Sequence, residues 1–138
     1  MKSKRIILSF IVVVVLSLAL TACGAPANAG STHLSVDLTD FAFKPDTFKI
    51  PAGEEITVDV TNKGANVHEF VIMKAGTQVT PPFDDNDEPN IYWEIDDVQP
   101  GTAKSGKFTA PEAGTYQIVC GTPKHVEMGM VGTLTVIQ

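Results

Sequence analysis

Short runs in which apolar and polar residues alternate recur along the sequence and restrict the folds open to it. Residues 34–38, 56–60 and 134–136 all show this pattern. A period of two places every second side chain on one face, which is typical of strands with one buried face. Turn residues such as Pro51, Gly53 and Gly101 separate the runs. The pattern predicts an all-β sandwich of antiparallel strands.

The length of the chain suits one domain. The sequence has 138 residues, of which 43% are hydrophobic and 19% are charged, as in a globular protein. Even without residues 1–22, the remainder is long enough for a single core. No internal repeat or second domain boundary is apparent. Residues 90–98 could hold a short helix, the one exception to the β pattern.

The N-terminus has the features of a bacterial lipoprotein signal. A basic start at residues 1–5 precedes an apolar run over residues 6–20 and the motif Leu-Thr-Ala-Cys, which ends at Cys23. We expect residues 1–22 to be a signal peptide, Cys23 to carry lipid, residues 23–32 to be a flexible tether and residues 33–138 to be the folded domain. The domain would then be anchored on the outer face of the cell membrane. The alternative is ordinary cleavage after Ala22 or within residues 25–29, which would release a secreted protein.

Four residues form a candidate metal site. Cys120, His125 and Met130 follow one another near the C-terminus, with four residues on each side of the histidine, and His68 lies far upstream. One thiolate, two imidazoles and a thioether are the ligands of a blue-copper electron-transfer site. Thioether and thiolate suit Cu(I), imidazole suits Cu(II), and a trigonal set with a weak axial methionine is tolerated by both states.

Each of these residues also has a simpler interpretation. If Cys23 is lipidated, Cys120 is a lone cysteine that could be an inert core residue. His68 could be a core histidine, and Met128 competes with Met130 for the axial position. The combination of Cys, His and Met in one loop favours the metal site.

The alternation of the strands predicts where two of these side chains point. His68 lies on the same face as Phe70 and Ile72. Cys120 lies on the same face as Tyr116 and Ile118, so both candidate ligands should point into the core near strand ends.

The segment around these residues resembles the cupredoxins, the family of plastocyanin, azurin and auracyanin. The resemblance covers about residues 34–138 and is strongest at residues 116–136, which include Gly-Met-Val-Gly-Thr-Leu at 129–134. Asp-Phe-Ala-Phe-Lys-Pro at 40–45 also resembles the early strands of the family. The resemblance implies a single-domain Greek-key β-sandwich, one type 1 copper held by His68, Cys120, His125 and Met130, and one-electron transfer without substrate chemistry.

One position departs from the family pattern. Many cupredoxins have asparagine after the first histidine ligand, where it ties the two ligand segments together, whereas this chain has Glu69. An ionised carboxylate cannot donate that hydrogen bond. Either another group ties the segments, or the site is looser and its reduction potential differs.

Charge limits the partners. The formal net charge is −6, and removing the three cations of the leader, Lys2, Lys4 and Arg5, leaves −9 for the mature chain. Such a chain lacks the basic face that nucleic-acid binding requires. We expect a monomer whose partners are a redox donor and acceptor, such as a membrane complex, a cytochrome or an oxidase. The acidic run Asp84–Glu88 is interpreted as a solvated loop; docking to a basic partner or loose Ca²⁺ binding is the alternative.

Other function classes fit less well. An extracytoplasmic copper carrier is the main alternative, although carriers usually have more open sites. A binuclear copper centre needs a second cysteine in the ligand loop, and multicopper oxidases need more histidines than the three in this chain. Methionine is a poor zinc ligand. We therefore expect an electron-transfer protein and not an enzyme.

Overall fold

The computed structural model describes residues 30–138, so the expected signal peptide, Cys23 and most of the tether lie outside the described residues. The described part contains nine strands and one short 3₁₀ helix, Glu88–Asn90. The strands are β1 His33–Thr39, β2 Ala42–Lys44, β3 Thr47–Pro51, β4 Glu55–Asn62, β5 His68–Met73, β6 Ile91–Val98, β7 Ala103–Thr109, β8 Gly114–Val119 and β9 Val131–Ile137.

The strands form two sheets that pack into a single-domain sandwich, which confirms the predicted fold class. One sheet has the order β2-β1-β4-β7 and the other the order β3-β9-β8-β5-β6. The prediction that all strands are antiparallel was wrong for two pairs, because β1 runs parallel to β4 and β3 runs parallel to β9. Between β1 and β4 the chain crosses to the other sheet through β3, and a strand that returns after such a crossover can pair in the parallel sense.

The alternating runs form the core as predicted. In β4, Ile56, Val58 and Val60 are fully buried while the residues between them are only partly covered. β5 departs from simple alternation because it is buried on both faces. Phe70 and Ile72 enter the core between the sheets, and the opposite face of β5 contacts a second cluster under the β5–β6 connection. That cluster consists of Val71, Met73, Val79, Val119 and Val126.

The expected short helix over residues 90–98 was wrong. Ile91–Val98 is a strand that pairs antiparallel with β5, with Trp93 opposite Ile72 and Ile95 opposite Phe70. Aromatic and β-branched residues that pack across strands outweigh the helix tendency of the intervening acids. The 3₁₀ helix Glu88–Asn90 ends where this strand begins.

The first described residues are hydrogen-bonded to strands β3 and β4. The backbone N–H of Ser31 donates to the carbonyl of Lys49, and the N–H of Thr57 donates to the carbonyl of Thr32. Among residues 30–138 no helix is long and apolar enough to cross a membrane. The boundaries of the signal peptide, tether and domain stay predictions.

Candidate metal centre

Three potential ligands meet at one end of the sandwich. Nδ1 of His68 lies 3.1 Å from Nδ1 of His125, and Sγ of Cys120 lies 3.3 Å from Nδ1 of His125 and 3.9 Å from Nδ1 of His68. Among the described residues these three form the one group of at least three His, Cys, Asp or Glu side chains close enough to share a metal ion. His68 and Cys120 are fully buried, and His125 is 6% exposed.

The sheet register explains why these residues meet. β5 and β8 are antiparallel neighbours, with Val71 opposite Val119, so the first residue of β5 lies at the same end as the residue after β8. His68 is that first residue and Cys120 follows the end of β8. The prediction that both ligands point inward near strand ends is confirmed by their burial.

The loop between β8 and β9 carries the second histidine and is closed by backbone hydrogen bonds. The N–H of His125 donates to the carbonyl of Thr122, and the N–H of Met130 donates to the carbonyl of His125. Gly129 has a φ of 91°, a left-handed conformation that glycine adopts without strain. This turn brings the loop back to β9 directly after Met130.

The two methionines of the loop differ in burial. Met130 is fully buried in the same core cluster as Cys120, whose N–H donates to the Met130 carbonyl at 3.2 Å. Met128 is 56% exposed. Burial beside Cys120 favours Met130 over Met128 as the thioether of the site.

Two contacts tie the ligand segments together without the family asparagine. The backbone N–H of Glu69 donates to Sγ of Cys120 at 3.3 Å, and the Thr122 hydroxyl donates to the Val67 carbonyl at 3.3 Å. The first bond stabilises negative charge on the sulfur, and the second links the residue before His68 to the ligand loop. Glu69 left two alternatives open. These contacts support the first, in which another group ties the two segments.

The side chain of Glu69 is half-buried beside the loop. Its carboxylate lies so close to the backbone of Gly121 that a Cβ there would overlap it. Burial raises the pKa of Glu69 to about 7, and the nearby carboxylates Glu94, Asp97, Asp96 and Glu88 add to the shift. Glu69 and these four acids form an acidic face that extends to Gly121, the residue after Cys120.

Asp40 contacts the site although no pattern in the sequence indicates it. Its Oδ1 accepts a hydrogen bond from Nε2 of His68 at 2.7 Å, and the carboxylate also accepts the backbone N–H groups of Ala65 and Asn66. The Ala65 bond, with those from His68 and Asn66, lowers the pKa of Asp40 to about 2. The only sequence signal was the Asp-Phe-Ala-Phe-Lys-Pro motif, which does not indicate a contact with a residue 28 positions away.

The surroundings of the ligands suit a metal. Burial, and then the proximity of His68, lowers the pKa of His125, which favours the neutral imidazole that can bind a metal. Burial raises the pKa of the Cys120 thiol, so the thiolate that a metal needs requires a cation beside it. A dry set of two imidazoles, one thiol and one thioether fits copper, which is bound by this donor combination in blue-copper sites.

The surface next to His125 is partly apolar. Pro123 and Met128 are exposed, and the partly buried Phe41 packs with its ring centroid 4.8 Å from that of His125. Val126, although it lies in the same turn, is only 5% exposed and belongs to the second core cluster. A turn residue that points inward is not distinguishable from an exposed one by periodicity.

Comparison with known proteins gives consistent results. The family model described as a cupredoxin-like domain matches residues 10–136. The copper-resistant cuproprotein CopI of Pseudomonas aeruginosa is 26% identical over 83% of this chain and 82% of CopI. Rusticyanin of Acidithiobacillus ferrooxidans is 39% identical over 67% of this chain and 51% of rusticyanin, so the chain spans about half the length of that relative. The crystal structure of dithionite-reduced auracyanin from Roseiflexus castenholzii superposes with a TM-score of 0.70 at 30% identity, covering 80% of this chain and all of that one.

Proposed function

The chain belongs to the cupredoxin-like family, and on that premise we propose that it is a blue-copper protein that carries single electrons between redox partners. Bound copper supplies the chemistry by alternating between Cu(II) and Cu(I). The proposed ligands are His68, Cys120, His125 and Met130.

One observation carries the proposal. A cysteine sulfur and two imidazole Nδ1 atoms converge within 3.1–3.9 Å of one another and are almost completely buried, and the buried Met130 belongs to the same core cluster as Cys120. Mixed soft and nitrogen donors are the set that both copper oxidation states tolerate. Burial excludes water that would otherwise bind to the metal and reorganise when its charge changes.

The protein contributes rigidity and polarity to this chemistry. His68 and Cys120 lie at the ends of paired strands, so their positions are fixed by the β5–β8 register. The N–H of Glu69 directs a dipole at the Cys120 sulfur, and hydrogen bonds to a ligating sulfur tune the reduction potential. Electrons would pass through the edge of His125 nearest the surface, beside the exposed Pro123 and Met128. Redox encounter interfaces of this kind are small and transient.

The location proposed for the protein is the outer face of the cell membrane. Residues 1–22 would be removed as a signal peptide, lipid on Cys23 would anchor the chain, and the folded domain would begin near His33, the first residue of β1. The donor and acceptor would then be a membrane complex and a cytochrome or oxidase on the same side. A Cys23→Ala variant that remains membrane-bound, with no lipid adduct in mass spectra of the wild type, would contradict this anchor.

A second candidate, an extracytoplasmic copper carrier, is favoured by one finding. The similar CopI of Pseudomonas aeruginosa is named a copper-resistant cuproprotein. A carrier must release copper, whereas the complete burial of His68 and Cys120 favours retention.

A redox titration combined with a copper-release assay tests the proposal. We expect the copper-loaded full chain to take up one electron per chain reversibly, and to keep its copper in both oxidation states during an excess-chelator challenge over many redox cycles. Loss of copper upon each reduction would instead support the carrier. Failure to cycle at all would contradict the electron-transfer function.

A further inference from the structure

The carboxylate of Asp40 connects the β1–β2 turn to the ligand His68 of the other sheet. Oδ1 of Asp40 is 2.7 Å from Nε2 of His68, the ring nitrogen that faces away from Cys120 and His125. The Asp40 side chain is 26% exposed, whereas that of His68 is fully buried. A partly solvated carboxylate therefore contacts the concealed end of the imidazole.

Asp40 is itself held in place by the segment that precedes β5. The N–H of Ala65 donates to Oδ2 of Asp40 at 2.8 Å, and the N–H of Asn66 donates to Oδ1 at 3.3 Å. Gly64 lies against the same pair, since a Cβ there would overlap the Asp40 carboxylate and approach Nε2 of His68 within 2.9 Å. Only a glycine at this position leaves room for the hydrogen bond.

The bond determines which nitrogen of His68 is available to a metal. An ionised carboxylate can only accept, so Nε2 of His68 must carry the proton. Nδ1 then presents its lone pair, and it is Nδ1 that lies 3.1 Å from Nδ1 of His125 and 3.9 Å from Sγ of Cys120. The ring cannot turn over without losing the bond to Asp40.

We propose that Asp40 is a positioning residue for the copper site, which fixes the tautomer and orientation of His68 and, through its negative charge, favours the more highly charged oxidised state of the metal. This inference rests on the proposed function and deepens it. A carboxylate that accepts the free N–H of a ligating histidine raises the basicity of that ligand. Stabilising Cu(II) over Cu(I) lowers the reduction potential.

A purely structural role is the competing explanation. Asp40 could serve only to cap the turn at residues 63–66 through Ala65 and Asn66. Such a role predicts that Asp40 variants lose folding stability while the tautomer of His68 and the reduction potential stay unchanged. The two explanations therefore differ in readouts other than stability.

The first experiment is independent of copper. Nitrogen-15 NMR of the metal-free full chain reports which ring nitrogen of His68 is protonated. We expect the Nε2–H form in the wild type and a mixture of both tautomers in Asp40→Ala. A wild type without predominant Nε2–H, or an Asp40→Ala variant with an unchanged tautomer, would overturn the proposal even if electron transfer were established by other means.

The second experiment separates charge from geometry in the copper-loaded full chain. Asp40→Asn keeps an oxygen that can accept from Nε2 but removes the charge. We expect it to shift the equilibrium with a reference redox couple about tenfold toward reduced copper, about 59 mV for one electron. Asp40→Ala should also weaken copper binding by about 10–100-fold, as is common when the outer partner of a ligating histidine is removed.

Two further variants guard against ambiguous results. Asp37→Asn removes one charge from β1, at a carboxylate that is paired with Lys63. Because exposed charges are screened, this variant should change the equilibrium constant with the reference redox couple by no more than about twofold. If Asp40→Ala does not fold, Gly64→Ala should displace the Asp40 carboxylate and shift the potential in the same direction as Asp40→Asn. Unchanged potentials in both Asp40→Asn and Gly64→Ala would overturn the proposal.

Discussion

The ring of Phe41 packs edge-on against the imidazole of His125, with the centroids 4.8 Å apart and the planes inclined by 70°. Phe41 directly follows Asp40, so one short segment between β1 and β2 contacts both histidines of the site. His125 is only 6% exposed. Phe41 therefore covers part of the ligand through which electrons are proposed to leave.

Replacing Phe41 by alanine should admit water to this side of the site. Because water stabilises the more highly charged Cu(II) state, we expect the redox equilibrium to shift about threefold toward oxidised copper. The lost packing should also lower the free energy of unfolding by about 2 kcal/mol, since the side chain is only partly buried. Redox titration and chemical denaturation measure the two effects.

Phe41→Leu is the matched control for this change. It retains an apolar cover and should keep the potential near that of the wild type. An alanine variant whose potential rises, or a leucine variant that behaves like alanine, would contradict the shielding role of the ring.

The buried and exposed methionines of the loop give a second prediction. Met130→Leu nearly preserves side-chain volume, so the fold should lose less than about 1.5 kcal/mol of stability. Replacing the sulfur donor by an apolar side chain should shift the copper equilibrium about tenfold toward Cu(I), because the more highly charged Cu(II) loses more from having one donor fewer in a drier site. Met128→Leu, at the 56% exposed position, should leave the potential unchanged. A shift in Met128→Leu and none in Met130→Leu would assign the thioether ligand to Met128.

The bond between Thr122 and Val67 gives a third prediction. Thr122→Val removes the hydroxyl that donates to the Val67 carbonyl at 3.3 Å. We expect the free energy of unfolding of the metal-free chain to fall by about 1 kcal/mol, the usual net contribution of one hydrogen bond. Thr122→Ser, which retains the hydroxyl, should recover most of the loss in a denaturation experiment. Equal stability of the valine variant and the wild type would show that another contact ties the ligand segments.

The acidic face around β6 gives a prediction about pH. Burial, with the nearby Glu88 and Asp96, raises the pKa of Glu94 above its ordinary value. The folded state then holds this proton more tightly than the unfolded chain, so ionisation of Glu94 costs stability above its folded pKa and costs nothing below about pH 4, the ordinary range of a glutamate. Glu94→Gln should raise the Tm of the metal-free chain by about 1–2 °C at pH 8 and not at pH 4.

Glu54→Gln is the control for that experiment, since Glu54 is an exposed acid in the turn between β3 and β4. It should change Tm little at either pH. A Glu94→Gln variant that is stabilised equally at pH 8 and pH 4 would show that the gain does not come from removing a charge.

The convergence of the proposed ligands was predictable because their positions follow from local rules. Alternation indicates which side of a strand faces inward, and His68 and Cys120 both lie on inward faces at strand ends. The spacing around His125 then limits the loop to a turn that places Met130 at the start of β9. The donor atoms of the four side chains then indicate the metal, since few metals other than copper suit this donor set.

Other features depend on contacts between distant segments and could not be predicted. Asp40 contacts His68 across the two sheets, and no periodic pattern connects them. The parallel pairing of β1 with β4 depends on where β3 goes, which the alternation of β1 and β4 does not reveal. Val126 is buried because the β5–β6 connection folds over it, and the strand Ile91–Val98 exists because β5 offers an edge to pair with.

The visible absorption spectrum of the copper-loaded, oxidised full chain tests the central claim most directly. A thiolate bound to Cu(II) absorbs visible light through sulfur-to-copper charge transfer, so we predict an intense blue colour that ascorbate removes and that Cys120→Ser lacks. A colourless oxidised protein with one copper per chain, or a band that persists in Cys120→Ser, would show that Cys120 does not bind Cu(II) and would contradict the proposed blue-copper site.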